Sequence, residues 1–129
     1  MSSIEERATK LLNETNALGN YHTSLICTSE GLLIAASGDE VTTEQVAGFT
    51  SLFDDIIDRA ARDIGINNLE EVTLLEPRKG RFVIRPLEIS AGERFFLVIQ
   101  MPTTVTWRRN THRLVTALKS IFSEAAWAA

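Results

Sequence analysis

A chain of 129 residues with 44% hydrophobic and 23% charged residues has the length and composition of a single globular domain with its own core. Its net charge of −4 argues against nucleic acid as the main partner, because phosphate binding needs a positive surface potential. A lone cysteine, no apolar run of membrane-spanning length and an acidic N-terminus unlike a signal peptide together predict a soluble, cytoplasmic protein that does not insert into a membrane.

The N-terminal part of the sequence predicts a helix followed by a β-hairpin. Ser3, with a glutamate three residues later, forms a capping box for an amphipathic helix that ends at Gly19. Strands are predicted over Tyr21 to Thr28 and over Leu32 to Ser37, with a tight turn at residues 29–31 between them. The first two strands are therefore expected to pair in antiparallel fashion.

A long helix is predicted from about Thr43 to Ile64, with Thr42 as its N-cap and Gly65 at its end. Its apolar residues cover about half of the helix circumference, whereas an ordinary surface helix has a stripe of about 100°. One side of this arc can cover a sheet in the same chain. The simplest partner for the rest is the same helix in a second copy. The predicted dimer interface comprises Val46, Phe49, Phe53, Ile56, Ile57 and Ala60.

The C-terminal half predicts three strands in close order and a last helix. The strands cover Val72 to Glu76, Arg81 to Leu87 and Arg94 to Met101, and the helix runs from near Trp107 to at least Phe122. The third of these strands is apolar at both odd and even positions, as in a central strand covered on both faces. We therefore place it in the middle of the sheet, with the first strand as its candidate neighbour.

The resulting order of elements is α-β-β-α-β-β-β-α. It predicts an α+β sandwich in which helices cover both faces of a five-stranded antiparallel sheet. Neither a repeat nor a linker interrupts the sequence, so residues 1–129 are expected to form one domain with its core at about 5–122.

No self-contained catalytic, cofactor or metal site is visible. The long helix carries four aspartates, at positions 54, 55, 58 and 63, but Asp55 precedes Arg59 by four residues and Asp58 precedes Arg62 by four, a spacing typical of ion pairs on a solvated helix face. The two histidines have no partner at ligand spacing, and the glycines form no phosphate-binding loop. The chain is therefore expected not to be an enzyme and not to bind nucleotide by itself.

Basic residues concentrate after residue 77, and they are the remaining candidates for partner binding. They crowd the turn before the fourth strand and the exposed side of the last helix. Such residues either form a solvated face or dock an acidic partner. The partner-binding candidates are Arg78, Arg81, Arg108, Arg109 and Arg113.

Three segments together resemble the Roadblock/dynein-light-chain family. They are the hairpin Ser29 to Ser37, the long helix after it, and the stretch Gly80 to Pro86 before the strand Phe95 to Ile99. The resemblance covers residues 5–122.

The resemblance implies a dimer in which the long helices pair and edge strands extend the sheet between subunits. It also implies that the dimer regulates or scaffolds a Ras-like small GTPase, with no family catalytic residue to carry over. The first hypothesis is thus a homodimeric GTPase regulator. Two alternatives remain: a structural dimerisation adaptor without effect on GTP hydrolysis, and a small-ligand sensor domain, which the apolar interior disfavours.

Overall fold

The computed structural model describes residues 3–90 and 92–128, and these form a sheet with helices on both faces. The helices are α1 (Ile4–Gly19), α2 (Glu40–Thr50), α3 (Leu52–Ile64) and α4 (Arg108–Ala128). The strands are β1 (Thr23–Thr28), β2 (Leu33–Ser37), β3 (Val72–Glu76), β4 (Gly80–Ser90) and β5 (Glu93–Met101). Within the described part of the chain, the sheet has five strands in the order β2-β1-β5-β4-β3, each antiparallel to its neighbours. The predicted α+β fold is confirmed, as is the central position of β5 beside β1.

The alternation of side chains along β5 explains why the sheet has a core on each face. Leu97 and Ile99 point toward α1 and α4, whereas Phe96 and Val98 point toward α2 and α3. All four side chains are at most 2% exposed. Because the side chains on both faces of β5 are apolar, helices must cover the strand on both sides. This requirement separates the helices into two layers.

The helix predicted over Thr43 to Ile64 is interrupted, so the prediction of one continuous helix is wrong. α2 ends at Thr50 and α3 begins at Leu52. The Thr50 hydroxyl donates to the carbonyl of Val46 at 2.6 Å, and the Ser51 hydroxyl donates to that of Gly48 at 2.7 Å. Hydroxyl groups that bond to helix carbonyls in this way bend helices, and a glycine beside them adds freedom to do so.

The cap of this helical segment also differs from the prediction. Asp39, three residues before the predicted cap Thr42, accepts a hydrogen bond from the backbone N–H of Thr42 at 2.9 Å. The same carboxylate accepts from the Thr42 hydroxyl at 2.8 Å. These two hydrogen bonds lower the pKa of Asp39, because they favour its charged form. α2 consequently begins at Glu40.

Two strands, β1 and β4, differ from their predicted bounds by more than one residue, each for a local reason. β1 begins at Thr23 because Asn20 adopts the left-handed conformation that ends α1, and the N–H of Tyr21 bonds back to α1. β4 continues to Ser90 along β5, but β3 pairs with it only as far as Ile84. Pro86 therefore lies where β4 is an edge strand, as expected for a residue without an N–H.

Among the residues that the structure describes, no helix is both long and apolar enough to cross a lipid bilayer.

Candidate interaction surfaces

An exposed apolar strip runs along the outer side of α2 and α3. Phe49, Leu52 and Ile56 are 51%, 59% and 48% exposed, and we call these three residues the α2–α3 strip. Exposed apolar side chains that are contiguous in this way mark an interaction surface. Leu52 was missing from the interface predicted from the sequence, although its position in the apolar arc of the helix was the signal that could have included it.

The six residues of the predicted dimer interface fall into three layers. Phe53 and Ile57 are each 7% exposed and pack against the sheet of their own chain. Val46 and Ala60 are half-buried at the boundary, and Phe49 and Ile56 face outward. The structure therefore brings together Phe49 and Ile56 in the strip and assigns Phe53 and Ile57 to the core. The dimer itself stays a prediction.

The strip continues into an apolar hollow between α2 and the strands β3 and β4. Val46 and Phe49 line it from the helix, and Leu74 and Phe82 line it from the sheet, around a volume of about 260 Å³. β3 is the last strand of the sheet on this side, paired only with β4 among the described residues. An apolar surface thus extends from α3 across α2 to an open sheet edge.

Arg94 on β5 neutralises two of the aspartates on α3. Its Nη1 lies 2.7 Å from Oδ1 of Asp54, and its Nη2 lies 3.3 Å from Oδ1 of Asp58. Partial burial lowers the pKa of Arg94, but hydrogen bonds and Coulombic attraction to both carboxylates outweigh this effect and raise it. These contacts tie α3 to the start of β5.

The predicted ion pairs on α3 are half confirmed. Asp55 and Arg59 pair at 2.9 Å, as the four-residue spacing predicts. Asp58 pairs with Arg94 instead of Arg62, whose Nε lies 3.2 Å from Oδ1 of Asp63. Nothing in the local sequence indicates the role of Arg94, because it lies far along the chain and only the sheet brings it to α3.

The predicted arginines divide between a cluster around Trp107 and the exposed side of α4. The guanidinium groups of Arg81 and Arg108 lie 4.4 and 4.5 Å from the centre of the Trp107 ring, as in cation–π contacts. Trp107 donates a hydrogen bond from Nε1 to Oε1 of Glu71 at 3.1 Å. The indole thus connects β4 with the start of α4, a connection that the sequence did not indicate.

The other three candidates are exposed on the surface. Arg78 is exposed in the β3–β4 turn, where the Glu76 carboxylate accepts from the N–H of Arg78 at 2.8 Å. Arg109 and Arg113 are exposed on α4, and neither forms an ion pair with any described residue. We call the five residues Arg78, Arg81, Arg108, Arg109 and Arg113 the basic surface.

The described residues bring together no metal-binding cluster, and they bury the single cysteine. No group of three or more His, Cys, Asp and Glu side chains among them is placed to hold a metal ion. Cys27 is fully buried, and burial raises the pKa of its thiol to about 12, which leaves it protonated and unreactive at neutral pH.

The family model of the Roadblock/LC7 domain matches residues 7–101. This chain belongs to the Roadblock/LC7 family. The sequence matches none of the curated proteins.

Solved structures show the same Roadblock/LC7 fold over nearly the whole chain. "MglB with tetrameric arrangement" is 19% identical with a TM-score of 0.78, and the match covers 97% of this chain and 94% of that one. The gliding protein MglB from Thermus thermophilus is 18% identical with a TM-score of 0.77, covering 96% and 94%. A Roadblock/LC7 domain from Streptomyces avermitilis is 12% identical with a TM-score of 0.70, covering 92% and 97%. At these identities the likeness shows the fold alone.

Proposed function

We propose that this Roadblock/LC7 protein is a homodimer that regulates or scaffolds a Ras-like small GTPase and has no catalytic activity of its own. The α2–α3 strip carries the proposal. Full burial of a large apolar side chain contributes about 1.5–3 kcal/mol, so covering the exposed half of three such side chains contributes roughly 2–4 kcal/mol for each protomer. In a two-fold dimer each strip covers the other, so the dimer is stabilised by twice this amount.

The position of the strip supports a dimer that also extends the sheet. The apolar hollow beside Phe49 leads to β3, whose outer edge has no neighbour among the described strands. Two copies related by a two-fold axis can bury their strips against each other and pair their edge strands. This is the arrangement that the family resemblance implies.

The basic surface supports a role in partner binding. Asp54 and Asp58 on α3 are paired with Arg94. Arg109 and Arg113 on α4, which covers the other face of the sheet, form no ion pair within the described residues. Unneutralised surface cations accelerate association with an acidic partner. We therefore place the first encounter with the GTPase on the basic surface.

The test measures association with a Ras-like small GTPase from the same genome by stopped-flow fluorescence, together with its rates of GTP hydrolysis and nucleotide exchange. Arg109→Glu with Arg113→Glu is expected to slow association about tenfold or more at low salt and to weaken its salt dependence. The matched control reverses two charges on the other face, Glu44→Lys with Asp55→Lys.

By calorimetry, the protein alone is expected to bind neither GTP nor ATP, since it has no phosphate-binding loop.

The outcomes separate the alternatives. Loss of binding in the Glu44/Asp55 variant, with normal binding in the arginine variant, moves the interface to the face of the α2–α3 strip. Binding that leaves hydrolysis and exchange unchanged identifies a scaffold. If no small GTPase of that genome binds, the proposal of a GTPase regulator is wrong and the dimerisation adaptor takes its place.

A further inference from the structure

An apolar groove, which we call the α1–α4 groove, lies between α1 and α4 on the sheet face opposite the α2–α3 strip. Its floor and walls are formed by Leu11, Leu18, Leu114 and Ala117, with Glu14 at one rim and Arg113 at the other. Leu18 is 68% exposed, although it is a large apolar residue in the last turn of α1. The α1–α4 groove has a volume of about 230 Å³, below the roughly 300–1,000 Å³ of pockets for drug-sized ligands. It is suited to a few side chains of a protein partner.

Contacts at both ends of the groove hold its walls in place. At one end, Asn110 on α4 donates to the hydroxyl of Tyr21 at 2.9 Å, and this hydroxyl donates to the carbonyl of Thr106 at 2.8 Å. At the other end, Arg7 on α1 pairs with Glu124 on α4 at 2.7 Å. The groove is therefore preformed, which reduces the entropic cost of binding.

Positive charge lies on the α4 side of the groove, opposite Glu14 on α1. Residues 108–123 of α4 include no acidic residue, and Arg108 and Arg109 occupy its first turn. Cations there oppose the helix dipole, whose N-terminal end is positive, so they do not stabilise the helix. Arg109 and Arg113 also lack a carboxylate partner in the described part of the chain. Arg108 is compensated by its contact with Trp107, whereas Arg109 breaks this local rule without an ion pair among the described residues, as residues of functional surfaces do.

We infer that the α1–α4 groove binds an amphipathic helix of a protein partner. Apolar residues of that helix at i and i+3 or i+4 fill the hollow beside Leu18 and Leu114, as in other helix-in-groove complexes. Acidic residues on one edge of the helix face Arg109 and Arg113. This site lies on the opposite sheet face from the α2–α3 strip and does not depend on whether the protein regulates a GTPase.

The probe is a phage-displayed library of 14-residue helical peptides, panned against the full-length protein. Enriched peptides are expected to share two or three large apolar residues at helical spacing together with Asp or Glu on one edge. The strongest is then synthesised, and its affinity is measured by fluorescence anisotropy. Leu18→Asp is expected to raise its Kd about tenfold or more, because a carboxylate then stands where an apolar side chain must bury.

Matched variants make the test specific. Ala17→Asp places the same charge one residue away on an exposed face of α1 outside the groove, and it should leave the Kd within about twofold. Arg113→Glu should raise the Kd of the acidic peptide and lower the Kd of a peptide in which Lys replaces the acidic residues. Lys119→Glu, on another side of α4, should change neither Kd. Circular dichroism checks that each variant is folded.

The inference is wrong if the enriched peptides bind the wild type and the folded Leu18→Asp variant equally. It is also wrong if panning enriches no helical peptide. Peptides that bind the Leu18→Asp variant but not an Ile56→Asp variant would place the helix on the α2–α3 strip instead. The GTPase experiment measures rates of association, hydrolysis and exchange, whereas this one measures peptide affinity, so failure of one proposal is distinguishable from failure of the other.

Discussion

At the scale of the residue, small residues and side-chain contacts fix how the elements meet. Gly19 ends α1 directly beside the ring of Tyr21, and a Cβ atom at Gly19 would overlap that ring. The ring cannot move aside freely, because its hydroxyl is held by Thr106 and Asn110. Gly19 is therefore required for close approach, and Tyr21 in turn shapes the end of the α1–α4 groove.

Gly19→Ala is expected to destabilise the protein by about 1–3 kcal/mol, the usual cost of forcing extra volume into a packed site. The better helix propensity of alanine offsets this by about 1 kcal/mol at most. Gly48→Ala is the matched control. A Cβ at Gly48 meets no atom within 4 Å, so this change in α2 should be neutral or stabilising. Urea unfolding measures both, and equal stability of Gly19→Ala and wild type would contradict the steric argument.

At the scale of the element, α3 is held to the body of the protein by few contacts. Phe53 and Ile57 are its only buried side chains within the described residues, and the Arg94 ion pairs add a polar attachment. The Arg94 side chain is 19% exposed, so its two pairs are less screened than those on the open surface. α3 presents most of the α2–α3 strip, and its anchoring therefore positions the proposed dimer contact.

Arg94→Gln is expected to loosen α3, because it leaves Asp54 and Asp58 without their counter-ion. Amides of residues 52–64 should exchange hydrogen faster, and the protein should lose on the order of 1 kcal/mol of stability. Arg59→Gln removes an ion pair whose side chains are 65% and 72% exposed, and it should change neither quantity measurably. Equal exchange rates in the two variants would show that Arg94 does not anchor α3.

At the scale of the whole molecule, the two faces of the sheet offer surfaces of different chemistry. The face covered by α2 and α3 presents an apolar strip, and several of its aspartates are paired with arginines. The face covered by α1 and α4 presents a smaller apolar groove beside Arg109 and Arg113, which form no ion pair among the described residues. One face is suited to a second copy of the chain and the other to an acidic partner, so both contacts can form at once.

If the protein is a dimer, its melting temperature should rise with protein concentration in the micromolar range. Ile56→Asp should abolish this dependence and give a monomer by sedimentation, because the interface would bury an unpaired charge. Phe53→Asp would not be informative, since Phe53 lies in the core of its own chain. Leu18→Asp introduces the same charge on the other face and should remain dimeric. Wild-type protein that sediments as a monomer at micromolar concentration would contradict the dimer.

Much of this architecture follows from local sequence patterns. Apolar residues at both parities place β5 in the centre of the sheet, and short connections make the strands antiparallel. Asp55 and Arg59 pair because four residues bring two side chains to the same face of any helix. The exposed arginines of the β3–β4 turn and of α4 are likewise evident from their positions in the sequence.

Contacts between residues distant in sequence were decided only by the tertiary structure. Phe49, Phe53 and Ile56 share one apolar arc, and only the packing of α3 on the sheet buries Phe53 and leaves Ile56 exposed. Arg94 meets Asp54 and Asp58 because β5 passes beneath α3. The α1–α4 groove exists because the first and last helices lie side by side. Periodicity determines which face of a helix is apolar, whereas the neighbours that cover this face depend on how distant segments pack.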